Sequence, residues 1–310
     1  MKVSLICTLK NEESSVKEFL DSLLSQSRPP DEIIMVDGGS TDKTVEIIDS
    51  YIGNGAPIKL VIKQGANIAQ GRNTAIKNAK YGIIASTDAG CRIDKHWMEN
   101  LIKPFEEDPG VDVASGVYDL VSETTFEKCV AQLSSGRDID SLTAEEFLPS
   151  SRSVAFRKEA WEKVGGYPES LDYAEDTVFD LNLKKAGFNF KIAKDATVYW
   201  RVRGNLRSLF KQGYNYTKGE ATAGIRGFTT TYKPILIYLS LAILLGLAAY
   251  YNLWYGAFLV IAFIAYYLAR YGLPLLVRFR KVTCLYYGPA IALVTILSNT
   301  LGTVVGKVRK

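Results

Sequence analysis

Tyr81-Gly-Ile-Ile-Ala-Ser-Thr-Asp88-Ala-Gly-Cys91 is a short apolar run that ends abruptly in an acidic residue followed by two small ones. Tyr81 to Ala85 reads as a buried strand, because its side chains are apolar apart from a glycine near the start. Asp88 would then sit at the strand's carboxyl end, where open α/β sheets place their ligands. A carboxylate there, beside residues too small to block approach, suits a divalent cation carrying a diphosphate. A turn Asp capping the next helix has the same local signature, so the surroundings of Asp88 decide.

Upstream, Val3 to Leu9 reads as a strand, and Val16, Phe19, Leu20, Leu23 and Leu24 recur at helical spacing until Arg28-Pro29-Pro30. Ile33 to Val36 is a second strand, ending in Asp37-Gly-Gly-Ser-Thr-Asp42. There the glycines allow a tight turn and Ser40 or Thr41 can cap the helix that begins with Val45. Lys59 to Lys63 is a third strand, and Ala69 to Ala79 a helix opened by Gln70-Gly71-Arg72-Asn73. Four strand–helix alternations with short links predict an α/β fold with a doubly wound, mostly parallel sheet. Asp37 and Asp88 then share one rim. A dinucleotide-binding fold is rejected, because Thr8-Leu-Lys-Asn-Glu12 lacks the spaced glycines of its first turn.

Downstream, helices are expected over Lys95–Glu107, Glu123–Leu133 and Lys158–Val164, with strands over Val111–Leu120 and Ser153–Phe156. Residues 134–150 are polar and suit a loop. Gly165-Gly-Tyr-Pro168 is a turn. Tyr173-Ala-Glu175-Asp176 opens a helix expected to point Val178, Leu181 and Leu183 inward. An acidic pair at a helix start is either a dipole device or a catalytic pair.

Charge divides the chain. Every Asp and Glu lies at or before Glu220, and nine Lys or Arg follow it, so the first 220 residues carry −5 and the rest +9. An acidic front with a basic, apolar tail excludes a nucleic-acid binder and fits a domain attached to membrane lipid. His96 is the only histidine, which excludes a His-based triad and disfavours zinc. Cys7, Cys91, Cys129 and Cys284 show no paired spacing and fit buried, reduced thiols of a cytoplasmic protein. Met1-Lys-Val-Ser-Leu-Ile leads directly into a strand pattern, so no signal peptide is expected.

Pro234 to Ala269 is uncharged for 36 residues, enough for two short membrane spans turning near Asn252–Gly256, where Tyr250, Tyr251, Trp254 and Tyr255 suit an interface. Val282 to Gly306 is a third uncharged run of 25 residues. It either spans or lies in the interface, and its length favours spanning. Three helices are therefore expected, over 234–252, 255–277 and 283–305. Asn205 to Ala223 mixes Leu206, Leu209, Phe210, Tyr214 and Tyr216 with Arg207, Lys211 and Lys218, as a helix lying on a membrane surface would. The expected divisions are residues 1–204, an interface segment 205–232 and a transmembrane domain 233–310.

These residues resemble the family 2 glycosyltransferases with the GT-A fold. They resemble most closely the membrane-bound branch that includes cellulose synthase-like enzymes and transferases acting on polyprenyl-linked sugars. The resemblance covers roughly residues 2–220, with the tail similar in layout. It implies that Thr8, Leu9, Asn11 and Glu12 approach the nucleoside, that Asp37 binds base or ribose, and that Arg72 and Asn73 lie beside the diphosphate. Asp88-Ala89-Gly90 stands at the family's Asp-x-Asp position, with Gly90 departing from it. Asp88 would hold Mn²⁺ or Mg²⁺ together with diphosphate oxygens and water, aided by Asp94. Glu175-Asp176 matches the family's Glu-Asp motif, which makes Asp176 the general base. Gln212 and Tyr216 match two positions of its Gln-x-x-Arg-Trp segment, Asn215 replaces the Arg, and Lys211 or Arg207 would substitute on the diphosphate side.

The implied activity is inverting transfer of a sugar from a nucleotide-diphosphate donor to a membrane-embedded acceptor such as polyprenyl (dolichyl) phosphate or a glycan built on one. GDP-mannose is the favoured donor and UDP-sugars come next. The catalytic domain of a multi-pass integral membrane protein would face the cytoplasm. A processive synthase-like enzyme using a UDP-sugar and a non-catalytic nucleotide-binding scaffold are the alternatives. A transporter is disfavoured by three uncharged spans.

Overall fold

Apolar strands and amphipathic helices alternate through the first third of the chain as β1 (Val3–Leu9), α1 (Val16–Leu24), β2 (Glu32–Asp37), α2 (Thr44–Gly53), β3 (Ile58–Ile62), α3 (Ile68–Asn78) and β4 (Ile83–Asp88). The computed structural model describes residues 1–134, 143–144, 146–225, 236, 240, 243–247 and 250–308. The strands pair in parallel in the order β3-β2-β1-β4. Their near-continuous apolar sequence follows from burial on both faces. Val3, Leu5, Cys7 and Leu9 of β1 enter one core with Phe19, Leu20 and Leu23 of α1, while Ile6 enters the other with Ile76 of α3.

The register fixes the rim. Leu9 lies opposite Asp37 and Thr8 opposite Asp88, so the two carboxylates end neighbouring strands on either side of β1. Two strand spacings put their backbones about 10 Å apart.

The rest of the sheet is mixed. β5 (Cys91–Ile93), α4 (Trp97–Glu107), β6 (Val113–Val121), α5 (Thr125–Ser134), β7 (Val154–Arg157), α6 (Lys158–Lys163), α7 (Glu175–Lys185) and β8 (Phe190–Arg201) complete the order β3-β2-β1-β4-β7-β6-β8-β5. β7 runs antiparallel to both β4 and β6, and β5 antiparallel to β8, while β6 and β8 are parallel. β5 and β8 are absent from the sequence reading. In α7 the buried side chains are Glu175, Phe179, Asp180 and Leu183, a helical stripe. Leu181, expected inward, is exposed and Val178 is half-buried, because the stripe runs through Phe179 and Leu183 and turns those two positions away from its centre.

Two units are distinguished: Met1–Val121 with Arg137–Arg201, and Ser122–Gly136 with Val202–Lys310. The second contains α5, α8 (Leu206–Ala223), α9 (Leu253–Phe279) and α10 (Cys284–Val308). Helices α9 and α10 are long and apolar enough to cross a membrane. The run 234–252, expected as the first span, falls largely outside the described residues. Asn252 caps α9 by accepting from the Trp254 amide at 2.9 Å. A π-helical turn, Leu268–Gly272, interrupts α9 just before Pro274, whose ring removes a backbone donor.

α8 and α10 run side by side. A side chain on Gly213 would strike Ser298, one on Gly302 would strike Thr217 and the Tyr214 carbonyl, and one on Gly306 would strike Lys218 and Ala221. Both sequences ascend together, so the helices are parallel. α5 meets the first turn of α10, with the thiols of Cys129 and Cys284 3.6 Å apart and the rings of Phe126 and Tyr287 in edge contact. All four cysteines are free and buried.

Candidate active site

The loop after β2 is shaped by Asp37, whose carboxylate accepts from the Gly39 and Ser40 amides at 2.8 Å each and from the Ser40 hydroxyl. Asp37 is fully buried, so its oxygens serve its own loop. The loop is laced to the end of β1. Asn11 donates its amide to Ser40 Oγ and accepts from Thr41 N, and Glu12 N donates to Thr44 Oγ1, each at 2.8 Å. Asn11 takes φ +57°, a left-handed conformation asparagine tolerates. Leu9 is core, while Thr8 presents a buried hydroxyl with no hydrogen-bond partner among the described residues.

Helix α3 opens with a capping box between Asn67 and Gln70, which fixes its first turn against this rim. A Cβ on Gly71 would come within 2.7 Å of Thr8 Cγ2, so only glycine lets α3 sit this close. The next residue is the hinge of the site. Arg72 is almost fully buried and holds Glu175 Oε1 through Nη1 at 2.5 Å and Asp88 Oδ1 through Nη2 at 3.0 Å. One guanidinium thus joins the strand-end Asp88 to the acidic pair that opens α7. Burial pulls the Arg72 guanidinium down, but Asp88 and Glu175 outweigh it and the net shift is upward. Burial pushes the Glu175 carboxyl upward, against the pull of Arg72.

Asp176, beside it, is half-buried, and its carboxylate accepts from the Thr177 amide at 2.8 Å. One turn further, Asp180 is buried and its Oδ2 has no hydrogen-bond partner among the described residues. Burial first, then Asp176, pushes the Asp180 carboxyl well above its usual range. Asn73, expected beside the diphosphate, faces inward. It donates to the Tyr167 carbonyl at 2.8 Å and Glu169 at 3.0 Å, and accepts from Trp161 Nε1 at 3.0 Å and Tyr167 N at 2.9 Å. With its donors and acceptor occupied, it clasps the Gly165-Gly166 turn, where φ is +78° and +79°. Tyr167 then stacks on Phe179 with centroids 4.2 Å apart, which braces α7 from beneath.

Asp88 has a second cationic neighbour. Arg152 places Nε 3.7 Å from Asp88 Oδ2, a residue the sequence reading passed over because only the antiparallel return of β7 brings it there. Ala89 is buried. The nearest heavy atom to a Cβ built on Gly90 is Glu12 Oε2 at 3.9 Å, so open space lies beside Asp88. An oxygen-only set of this kind suits a hard cation that keeps water and phosphate in its shell, although among the described residues no three His, Cys, Asp or Glu converge. Asp94 does not join them: it accepts from the His96 amide and the Tyr199 hydroxyl at the start of α4. Arg207, Lys211, Gln212 and Tyr216 lie on α8 of the second unit, where Gln212 Nε2 donates to the Tyr216 hydroxyl at 3.4 Å.

The sequence model for glycosyl transferase family 2 matches residues 4–165. The chain belongs to that family. Relatives include the succinoglycan biosynthesis protein ExoA of Rhizobium meliloti, 27% identical over 68% of this chain and 66% of that protein. Another is the poly-beta-1,6-N-acetyl-D-glucosamine synthase of Staphylococcus epidermidis, 24% identical over 84% of this chain and 65% of that protein. The chain thus spans about two thirds of the length of these curated relatives. Among solved structures, the mannosyltransferase PcManGT from Pyrobaculum calidifontis, in complex with GDP-Man and Mn²⁺, aligns with TM-score 0.61 at 22% identity. That alignment covers 99% of this chain and 87% of that one. The family 2 chain has the GT-A fold.

Proposed function

We propose that this chain is an inverting hexosyltransferase that moves a sugar from a nucleoside-diphosphate sugar to a membrane-embedded acceptor, a polyprenyl or dolichyl phosphate or a glycan carried on one. The observation that carries the reading is the Asp88–Arg72–Glu175 chain, which gathers the strand-end carboxylate and the acidic pair of α7 around one guanidinium. Thr8, Leu9, Asn11 and Glu12 and the loop shaped by Asp37 form the nucleoside side. Asp88 would hold Mn²⁺ or Mg²⁺, which when bound neutralises charge on the diphosphate. Asp176 takes the proton from the acceptor hydroxyl as that oxygen bonds to the anomeric carbon. The bond to the diphosphate breaks on the opposite face, the diphosphate leaves with its electron pair, and the anomeric centre inverts. Arg72 pairs with Glu175, the residue before Asp176 in the first turn of α7. On α8, Arg207, Lys211, Gln212 and Tyr216 are assigned to the diphosphate and acceptor side. GDP-mannose is the first donor to try, supported by the ligand of PcManGT. The apolar C-terminal helices hold the enzyme at the membrane, with the catalytic unit on the cytoplasmic face by the positive-inside bias of Arg270, Arg278, Arg280 and Lys281.

The test is release of nucleoside diphosphate by the detergent-purified chain from GDP-mannose, UDP-glucose and UDP-N-acetylglucosamine, with a polyprenyl phosphate and Mn²⁺ or Mg²⁺. Asp88→Asn is expected to lower turnover at least 100-fold with either acceptor, and Asp176→Asn to do so where the acceptor is a hydroxyl of a lipid-carried glycan, within the range general-base catalysis supplies. Full activity in both variants defeats the assignment. Retained activity in Asp176→Asn alone identifies a bare lipid phosphate as acceptor, since it is already ionised and needs no base. Products of many sugars from one UDP-sugar would favour the processive reading, which the poly-N-acetylglucosamine synthase relatives support.

A further inference from the structure

Arg152 is placed by a pairing that no local sequence signal reveals. β7 returns antiparallel beside β4 with Val154 opposite Ser86, so continuing that register two residues forward along β4 and two residues back from the start of β7 brings Arg152 opposite Asp88. The register alone therefore delivers a guanidinium to the carboxyl rim of the parallel strands. Its side chain is then fixed by stacking: Cζ lies 4.2 Å from the Trp200 ring centroid and 5.8 Å from that of Tyr118. These two rings pack edge to face at 6.0 Å, making a stiff wall for the cation. Nη1 donates to Ser150 Oγ at 2.9 Å.

The two arginines of this rim differ in what they can reach. Arg72 is 3% exposed at its side chain and is enclosed between Asp88 and Glu175. Arg152 is 17% exposed and pairs with Asp88 at 3.7 Å, the longer of the two arginine contacts to that carboxylate. Asp88 is already bonded to Arg72, so the carboxylate does not require Arg152 for its pairing. Charge completes the case. Glu12, Asp88, Glu175 and Asp176 place four carboxyl groups around this rim, against which Arg72 is a single cation when a phosphate arrives. With Gly90 in place of a second carboxylate, a cation held only by Asp88 is loosely anchored, and a fixed guanidinium beside it offsets phosphate charge without depending on that cation.

We propose that Arg152 is a phosphate-binding residue of the transfer site, its guanidinium held by Trp200 and Tyr118 and directed at the donor diphosphate beside Asp88. This rests on the donor reading given above. A phosphate at this place could equally be the acceptor lipid's, and the two sources are separable. Calorimetry on the full chain in detergent would titrate GDP and UDP, then guanosine and uridine, into the parent, Arg152→Ala and Arg152→Lys. For donor contact, Arg152→Ala weakens the diphosphate that the parent binds about 10- to 100-fold and leaves the matching nucleoside unchanged. Arg152→Lys recovers part of the loss, because the cation is kept. For acceptor contact, diphosphate affinity is unchanged and the KM for polyprenyl phosphate rises by a similar factor in Arg152→Ala. Equal weakening of diphosphate and nucleoside, or unchanged diphosphate affinity together with an unchanged KM for polyprenyl phosphate, overturns the proposal. A parent chain that binds neither GDP nor UDP removes the donor reading itself, a result distinct from a silent Arg152 variant.

Discussion

Ala174 adopts φ +65° and ψ 15° directly before Glu175 and Asp176, with no side chain capping the helix it opens. A left-handed alanine costs about 1–2 kcal/mol, and here the cost sits where the acidic pair is aimed at Arg72 and the rim. Ala174→Gly is therefore expected to raise unfolding free energy by about 1 kcal/mol in denaturant titration, and an unchanged or lower value would show the strain is not there. Asp180 makes a second prediction. Its carboxyl is raised, so the folded chain holds that proton more tightly than the unfolded one. The stabilisation is complete below the ordinary carboxyl value of about 3.9 and is lost as pH rises through the folded value. Asp180→Asn keeps the shape with no proton to lose. It should be more stable than the parent at pH 7 by about 1–3 kcal/mol, with the gap closing as pH falls toward 4 in thermal melts. At this scale the sequence was readable where chemistry is local: Asp88 ends an apolar run and Asp176 follows a glycine turn. It was unreadable where orientation decides. Arg72 and Asn73 open α3 as expected, yet their side chains turn inward to hold Glu175 and the Gly165–Gly166 turn, and nothing in the spacing of Gly71-Arg72-Asn73 distinguishes that from a diphosphate contact.

Elements were legible in proportion to how much their period survives. The first four strand–helix alternations are short, apolar and well punctuated. β5 has three residues, too few for a period, and in β8 the polar pair Lys194-Asp195 breaks the alternation between Ala193 and Ala196. α10 raises a different question. Its length suits a span, but α5 packs on its first turn and α8 runs beside its second half. α5 begins four residues after β6 ends and α8 five after β8, so both leave the same sheet. Both are charged, through Glu127 and Lys128 in one and Arg207, Lys211, Lys218 and Glu220 in the other. Charged helices do not accompany a partner across hydrocarbon, so α10 should lie along the membrane surface with both ends on one side. Epitopes inserted after Arg280 and after Lys310 should both be digested by protease from the same face of sealed vesicles. Digestion from opposite faces would restore the spanning reading.

For the whole molecule, the separation of charge in the sequence, −5 before residue 221 and +9 after it, has its counterpart in the two units. One is built on an eight-stranded sheet and the other is wholly helical among the described residues. The shift from an acidic front to a basic, apolar tail is legible because it is compositional. The exchange of residues 122–136 into the helical unit was not, since α5 is an ordinary amphipathic helix whose partner is some 150 positions away. That insertion has a practical consequence. Cys129 and Cys284 face each other with no solvent between them, and burial pushes the Cys129 thiol up to about 12, far from the reactive thiolate. An alkylating reagent such as a maleimide can modify this pair only when the two helices part, so its rate of incorporation becomes a clock for how often the insertion lets go.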